Sequence, residues 1–214
     1  MKINYQKKLE ETLSSLPTGQ DKPTLLLHCC CAPCSTYVLQ YLSKYFQIKI
    51  LFYNPNIAPK NEYFRRLEEL KILIKQMELE NTVEIIEGDY DSQQFYQCVR
   101  GLENEPEGGA RCERCFALRL EEAAKQAVQL EVNYFTTSLT ISPHKNAALL
   151  NEIGQLMGDK YNIPFLCSDF KKKEGFKQSL LLSDQYDLYR QDYCGCIFSK
   201  KERELQKQVR CDTK

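Results

Sequence analysis

The chain lacks the features that mark several common protein classes. No stretch approaches the roughly 20 apolar residues of a membrane span, and the N-terminal MKINYQKKLEETLSSLP has no apolar signal core. Lysine plus arginine and aspartate plus glutamate number 29 each, which excludes a globally basic protein. With 9 glycines and 8 prolines, neither disorder nor a fibrous repeat is indicated. We therefore expect a cytoplasmic protein in which any nucleic-acid interface is confined to one basic face.

Glycine is also missing from the segment in which α/β proteins often bind nucleotides. No glycine occurs between Gly19 and Gly88, although a glycine-rich phosphate loop commonly follows the first strand of such sheets. The corresponding loop is rich in cysteine instead. ATP is therefore not expected at that loop. The cysteines found there are better explained by metal-based redox chemistry.

Cysteine, by contrast, is abundant. Seven of the eleven cysteines form three short groups, which are Cys30, Cys31 and Cys34, then Cys112 and Cys115, then Cys194 and Cys196. In the cytoplasm such groups are more often metal ligands or redox centres than structural disulfides. Short spacings bring two thiolates to one ion, and three groups supply more sulfur than one tetrahedral zinc requires. The surplus predicts an iron–sulfur centre with further metal or a redox thiol pair beside it.

Short apolar runs alternate with longer amphipathic segments, which is typical of a parallel sheet covered by helices. We predict one α/β domain over residues 1–214, with a Rossmann-like core at about 23–199 and a charged helix over 197–214. The predicted strands are Thr24–Cys29, Ile48–Asn54, Thr82–Gly88, Asn133–Leu139 and Pro164–Ser168. The predicted helices are Ser35–Tyr45, Asn61–Glu80, Ser92–Arg100, Cys112–Leu130, Pro143–Lys160 and Lys172–Tyr189. Ser142 is predicted to cap the fifth helix, with Pro143 in its first turn.

The carboxyl ends of parallel strands share one edge of a sheet, and open α/β sheets bind their ligands outside that edge. Segment 28–34 follows the first predicted strand, NPNIAP the second, GDYD the third and FTTSLTISPHK the fourth. The topology therefore predicts that the first cysteine group and His144 lie at a common site.

Each candidate has more than one interpretation. Cys112 and Cys115, at i and i+3, share one helix face, and shared metal ligation is favoured over a redox dithiol. The pair Cys194 and Cys196 fits either a labile disulfide that exchanges electrons or direct metal ligation. His144 is a proton donor, a phosphate contact or an ordinary hydrogen-bonded histidine.

Five further residues are interpreted as structural, as bystanders, or left open. His28 lies in an apolar strand and is interpreted as structural, and Cys29 is as well explained as core as it is as a ligand. Three isolated cysteines, Cys98, Cys167 and Cys211, are interpreted as bystanders.

Five ordered motifs between Leu25 and Ser199 are LLLHCCCAPCS, FYNPNIAPKNEYFRR, EGGARCERCFALRL, FTTSLTISPHKN and YRQDYCGCIFS. Together they resemble the QueH family of epoxyqueuosine reductases, cobalamin-independent enzymes that remove the epoxide oxygen of epoxyqueuosine at the wobble position of tRNA. The resemblance implies a fold related to the PP-loop and adenine-nucleotide hydrolase group, a [4Fe–4S] cluster with an additional iron ion, tRNA as substrate and an external electron donor.

The resemblance also implies residue roles. The metal-binding set is Cys30, Cys31, Cys34, Cys112 and Cys115, of which Cys30, Cys31, Cys112 and Cys115 are predicted to bind the cofactor. Cys194 and Cys196 are carried over as the CGC pair and are predicted to be catalytic. His144 is predicted to be catalytic on separate grounds, as a proton source for which Tyr193 and a bound water are the alternatives. The motif does not decide which thiolate holds the lone iron.

Two other functions stay open from the sequence. A zinc-stabilised tRNA-binding protein without catalysis needs the same cysteines but no redox metal. A thiol oxidoreductase needs only the CGC pair. An ATP-dependent iron–sulfur tRNA thiolase is disfavoured by the missing glycine-rich loop.

Overall fold

The computed structural model describes residues 3–17, 22–81 and 83–212, with side chains described as far as residue 209. Three predictions fall outside this range: Thr82 as the start of the third strand, the last two residues of the C-terminal helix, and the side chain of Cys211. Among the described helices, none is both long and apolar enough to cross a membrane.

Four strands form a fully parallel sheet, which confirms the predicted α/β class. They are β1 (Thr24–His28), β2 (Gln47–Phe52), β3 (Glu84–Glu87) and β4 (Tyr134–Thr137), and they lie in the order β3-β2-β1-β4. The central position of β1 explains its unbroken apolar sequence, since a strand covered on both faces has no solvent side.

Helices cover both faces of the sheet. They are α1 (Tyr5–Ser14), α2 (Ala32–Leu42), α3 (Lys60–Gln76), α4 (Ser92–Cys98), α5 (Ala110–Gln129), α6 (Ala147–Tyr161), α7 (Gly175–Gln185) and α8 (Ile197–Asp212). A 3₁₀ turn, Ser138–Ile141, links β4 to α6. Leu25 and Leu27 pack with side chains of α1, α2 and α3, whereas Leu26 packs with α5 and α6. Alternate residues of one strand thus enter two separate core layers.

The predicted fifth strand, Pro164–Ser168, is wrong. Only one parallel bridge forms in this segment, between Phe135 and Phe165. Side chains take the neighbouring backbone groups instead: Thr136 donates to the carbonyl of Leu166, and Asn151 bonds both the N–H and the carbonyl of Ser168 at 2.8 Å. The segment follows the edge of β4 without extending the sheet.

The predicted start of the fifth helix is also wrong. Helix α6 begins at Ala147 because the Asn146 side chain accepts hydrogen bonds from the N–H groups of Ala148 and Leu149. Ser142 instead closes the 3₁₀ turn, in an extended conformation. Residues 142–146 therefore form a loop at the carboxyl edge of the sheet. His144 and Lys145 lie in this loop and not in the helix.

Helix α1 has no counterpart in the sequence prediction. Its Leu9 is completely buried and Leu13 nearly so, and both belong to the core cluster that contains β1. The core therefore extends towards the N-terminus beyond the predicted limit at about residue 23. Helix α7 is shorter than predicted, because Lys173 and Glu174 have positive φ angles that end the preceding turn before Gly175.

Candidate metal centre

Three distant segments bring seven cysteines to the carboxyl edge of the sheet. The first segment joins β1 to α2, the second is the first turn of α5, and the third is the loop that leads into α8. Cys30 and Cys34 after β1 and His144 after β4 line one cavity, as the topology predicted, whereas α5 and the CGC loop follow helices and reach this edge through tertiary packing.

The sulfur atoms of Cys30, Cys31 and Cys34 all lie within 4.8 Å of one another. Cys30 and Cys31 share a hydrogen bond of 3.8 Å between their sulfurs, and both side chains are buried. Cys31 occupies the N-cap of α2 in an extended conformation, and Pro33 stands in the first turn, which fixes the backbone before Cys34. Three convergent soft ligands on a rigid strand–helix junction form a ready metal site.

The three thiols of this group differ in pKa. Hydrogen bonds from the thiols of Cys31 and Cys34 lower the pKa of Cys30, and the charges of Lys145 and Arg119 act in the same direction. The same hydrogen bonds with Cys30 raise the pKa of Cys31 to about 12 and raise the pKa of Cys34 above its ordinary value. Within this group Cys30 therefore loses its proton most readily, and thiolate is the form that binds metal.

A second set of four thiols surrounds a small cavity next to the first set. Its lining includes Cys112, Cys115, Cys194 and Cys196. Burial raises the pKa of Cys115 to about 12 and that of Cys112 more modestly, and negative charge on either CGC thiol raises both further. Cys194 also lines the larger neighbouring cavity, so that the two sets adjoin one continuous region.

The loop that carries the CGC pair is fixed to the NPNIAP loop by main-chain contacts. The N–H of Ala58 donates to the carbonyl of Gly195 at 2.8 Å, and the Tyr193 hydroxyl donates to the carbonyl of Ala58 at 2.9 Å. Arg66 donates to the carbonyl of Cys194 at 3.1 Å. Gly195 has φ +138°, and a Cβ there would lie 3.1 Å from Ile57. Glycine is favoured here because the backbone angle is strained for any other residue and an added Cβ would crowd Ile57.

Both thiols of the CGC pair are free in the structure, and Cys196 accepts a hydrogen bond from the N–H of Ser199 at 3.3 Å. Redox cycling and direct ligation therefore both stay open as predictions for Cys194 and Cys196.

A buried arginine with an unpaired nitrogen lies between the two sets of thiols. Arg119 donates to the carbonyl of Cys115 at 3.3 Å and to Asn54 at 3.4 Å, but its Nη2 has no partner among the described residues. Although burial opposes its charge, negative charge on Cys115, Cys194 and Cys30 raises its pKa. A buried cation needs a compensating anion, and ionised thiols at this place would provide one.

Sequence reasoning missed this arginine and a second one, Arg66, whose Nη2 is also buried without a described partner. The available signal was weak: Arg119 stands one turn after Cys115, on the same helix face. Arg66 lies on the buried face of α3 and pairs with Glu62 at 2.7 Å. Charged residues on an otherwise apolar face are the pattern that marks such positions.

The two histidines have different environments. His28 is fully buried, with Nδ1 3.0 Å from the Thr137 hydroxyl and Nε2 3.1 Å from the Tyr53 carbonyl, and burial lowers its pKa to about 4. These bonds fit its predicted structural role. His144 is exposed and lines the larger cavity. Cys29 is completely buried in the core and does not belong to the group formed by Cys30, Cys31 and Cys34.

The larger cavity measures about 650 Å³, in the range of small-molecule sites. Cys30, Cys34 and Cys194 lie in its wall together with His144 and Lys145. Arg190, Tyr193 and residues of α7 and α8 complete the wall. A molecule of about the size of a nucleoside would fit this volume, with cysteine sulfurs in the wall beside it.

Comparison with known proteins gives a consistent result. The family model described as "Epoxyqueuosine reductase QueH" matches residues 25–202. A protein of that name from Streptococcus pyogenes serotype M1 is 43% identical over 202 residues, which cover 94% of this chain and 79% of the relative. The namesakes from Staphylococcus epidermidis and Thermotoga maritima are 42% and 34% identical; the matches cover 99% and 84% of this chain, and 91% and 92% of those relatives. The chain, with its cysteine groups converging at one sheet edge, therefore belongs to the QueH family of epoxyqueuosine reductases, which are oxidoreductases.

Proposed function

We propose that the protein reduces epoxyqueuosine to queuosine in tRNA, with an iron–sulfur cluster and an adjacent iron bound by the converging cysteines. The reaction takes up two electrons and two protons, breaks both C–O bonds of the epoxide, forms a C=C bond and releases the oxygen as water. An external donor supplies the electrons. A tRNA substrate agrees with the cytoplasmic location expected from the sequence.

One observation carries this proposal: three cysteine groups that are distant in sequence meet beside a cavity of nucleoside size. A structural zinc site needs four ligands and a closed environment. Here the thiols are more numerous than that, and Cys30, Cys34 and Cys194 face a cavity. This arrangement favours a centre that acts on a bound molecule.

The residues present fit the proposed cofactors. Seven soft thiol ligands suit iron–sulfur chemistry, and the unpaired Nη2 of Arg119 calls for an anionic group between the two sets. We assign the cluster to Cys30, Cys31, Cys112 and Cys115; the first two lie in the short junction between β1 and α2, and the last two lie in the first turns of α5. Cys34 completes the metal-binding set. When bound, the metals would supply single-electron transfer and an electrophile for the epoxide oxygen.

The protein's own groups have separate tasks in this proposal. Cys194 and Cys196, in the dithiol state, hold two electrons and two protons that disulfide formation would release. Their loop position, outside the rigid elements, is compatible with such a change. His144, exposed at the cavity, is the proposed proton source. Tyr193 is less suited, because its hydroxyl already donates to Ala58 and burial raises its pKa to about 12.

The test is anaerobic reconstitution of the full chain with iron and sulfide, followed by incubation with epoxyqueuosine-containing tRNA and a low-potential reductant. We expect about four or more irons per chain, a visible absorption that bleaches on reduction, and queuosine in the digested tRNA. Cys112→Ser should lose iron and turnover, whereas Cys98→Ser, which changes a thiol on α4 that lines neither cavity, should retain both.

The same experiment identifies the rival functions. One zinc per chain without sulfide, together with tRNA binding and no turnover, would indicate a zinc-stabilised binding protein. Turnover that survives complete metal removal would indicate a thiol oxidoreductase acting through the CGC pair. Retained iron and full turnover in Cys112→Ser would contradict the ligand assignment.

A further inference from the structure

We propose that Lys145 is a catalytic residue whose ammonium group binds the epoxide oxygen and stabilises the negative charge that develops there as the C–O bonds break. The inference rests on the proposed function and adds to it a group that neither the sequence motifs nor the family match assigns.

The position of Lys145 supports this role. It belongs to the loop between the 3₁₀ turn and α6, where its N–H bonds the carbonyl of Ser142 at 3.3 Å and the next residue, Asn146, caps α6. Its backbone is thereby fixed from both sides. Its side chain is half-buried and lines the 650 Å³ cavity together with Cys30, Cys34 and Cys194.

The ammonium group of Lys145 has no hydrogen bond or ion pair with any residue that the structure describes, which is unusual for a half-buried lysine. Lys171, which is also half-buried near this edge of the sheet, is bonded to Asp169 at 2.7 Å and to the carbonyl of Thr140 at 3.3 Å. Surface lysines such as Lys160 also have carboxylate partners. The free donors of Lys145 are therefore available to a molecule in the cavity.

The charge of Lys145 is stable in this environment. Burial opposes it, and Arg119 repels it, but ionisation of the nearby cysteine thiols, Cys194 first, outweighs both and raises the pKa of Lys145 above its ordinary value. Lys145 thus acts as a fixed cation that donates hydrogen bonds, and it need not give up its proton.

Reduction of an epoxide requires such a cation. As two electrons from the external donor enter and the C–O bonds break, the oxygen gains negative charge before two protons convert it to water. A preorganised donor in a partly water-excluded site stabilises that charge, and the loss of one such donor typically lowers kcat by about 10²- to 10³-fold.

The depth of Lys145 argues for the epoxide oxygen over a tRNA phosphate. Its strongest electrostatic neighbours are the sulfur atoms of the metal centre, where the reacting end of the substrate must lie. Phosphates remain with the polynucleotide outside the cavity. The affinity for tRNA separates these two roles, because a phosphate contact contributes to binding before any chemistry occurs.

The experiment compares Lys145→Met, Lys145→Arg and the wild type, all reconstituted with iron and sulfide. Lys171→Met serves as the matched control, because it removes an equally half-buried lysine that does not line the cavity. Four quantities are measured for each: iron and sulfide content, the Kd for unmodified tRNA, KM for epoxyqueuosine-tRNA, and kcat.

For Lys145→Met we expect wild-type iron content, unchanged tRNA affinity, a KM within about twofold and a kcat lowered about 100-fold. Lys145→Arg retains the positive charge, so its kcat should be at least tenfold higher than that of Lys145→Met. Lys171→Met should keep the wild-type kcat.

Each contrary result has a distinct meaning. Loss of iron in Lys145→Met would show that the lysine only balances thiolate charge, and a weaker tRNA affinity with unchanged kcat would show a phosphate contact; either overturns the inference. A kcat within threefold of wild type overturns it as well. If the wild type itself binds metal but does not reduce epoxyqueuosine-tRNA, the proposed function fails and the inference with it.

Discussion

Arg66 and Cys194 are joined by a hydrogen bond of 3.1 Å from the Nη1 of the arginine to the carbonyl oxygen of the cysteine, across 128 residues of sequence. The arginine side chain is completely buried, pairs with Glu62 and lies over the ring of Tyr193. It therefore connects helix α3 to the loop that carries the CGC pair. The position of that pair depends on this contact and on the fit of Gly195 against Ile57.

Replacement of Arg66 by methionine should release the CGC loop. We expect a loss of about 3 kcal/mol in the free energy of unfolding, because Glu62 is left as an unpaired and mostly buried carboxylate. The additional change Glu62→Gln removes that charge and should restore much of the stability. The rate of alkylation of Cys194 should stay raised in both variants, since the carbonyl contact is lost in both. Wild-type alkylation in the stable double variant would show that the arginine does not position the loop.

Alanine at Gly195 should disturb the same loop by another route. Its φ of +138° is unfavourable for any side chain, and a Cβ would lie 3.1 Å from Ile57 and 3.2 Å from Arg66. We expect about 1–3 kcal/mol of destabilisation, measured by denaturant unfolding, and at least a tenfold loss of reductase turnover. Gly101→Ala is the control: φ is +82° there, but nothing lies within 4 Å of the added Cβ. That variant should lose stability and keep its activity. Equal turnover in the two variants would contradict the requirement for close approach at Gly195.

We expect Arg119 to couple metal binding to the stability of the fold. In the metal-free protein its buried guanidinium has an unpaired nitrogen, so that Arg119→Met should leave the metal-free protein as stable as before or more so. With metal bound, the same change removes the compensating positive charge. The rise in Tm on metal loading should therefore be smaller in the variant, because a ligand stabilises according to its affinity for the folded state.

The control for Arg119 is Arg114→Met, which removes an exposed arginine from the same helix. Its rise in Tm on metal loading should equal that of the wild type. If Arg119→Met shows the full rise, the guanidinium has no part in holding the anionic centre.

The cap of α6 distinguishes the sequence prediction from the observed structure. Asn146→Ala should destabilise the protein by about 1 kcal/mol, since two N–H groups at the start of the helix lose their acceptor. Ser142→Ala should cost less, because its hydroxyl accepts only the N–H of His144 at 3.3 Å. Urea unfolding of both variants checks the order, and a larger effect at Ser142 would restore the helix start predicted from the sequence.

His144 is accessible to solvent, which allows chemical rescue as a test of its proposed role. His144→Gln should lower kcat by about 10²-fold with little change in KM, because general-acid catalysis typically contributes 10²- to 10⁴-fold. Added imidazole should restore part of the rate in the variant and leave the wild type unaffected. A variant with the full wild-type kcat would show that water or another group supplies the proton.

Several elements of the fold were predictable because their determinants are local or periodic. The run of leucines in β1 predicted a strand covered on both faces, and the spacing of apolar residues predicted α3 and α5 to within a few residues. The fifth strand and the start of α6 were not predictable in this way. Their backbone groups are bonded by side chains distant in sequence or by a competing cap, such as Asn151 for Ser168 and Asn146 for α6.

The candidate site shows the same division. Closely spaced cysteines were visible in the sequence, because metal ligands are recognised by residue type and spacing. The roles of Arg119 and Lys145 were not visible in the sequence. A charged residue becomes a candidate for function when it is buried away from water and has no partner, and only the folded structure shows this. Both side chains lie near thiols from other segments, and no local pattern contains that information.

The sequence by itself determined the α/β class, the parallel sheet and the three cysteine groups, since apolar periodicity and ligand spacing are properties of short segments. The tertiary structure decided that the three groups meet, that Cys194 adjoins both cavities, and that Lys145 lines the larger cavity with no hydrogen-bond or ion-pair partner among the described residues. Those relations depend on the order β3-β2-β1-β4 and on contacts between loops far apart in the chain. Chemistry at this site arises from distances and burial, which only the folded chain fixes.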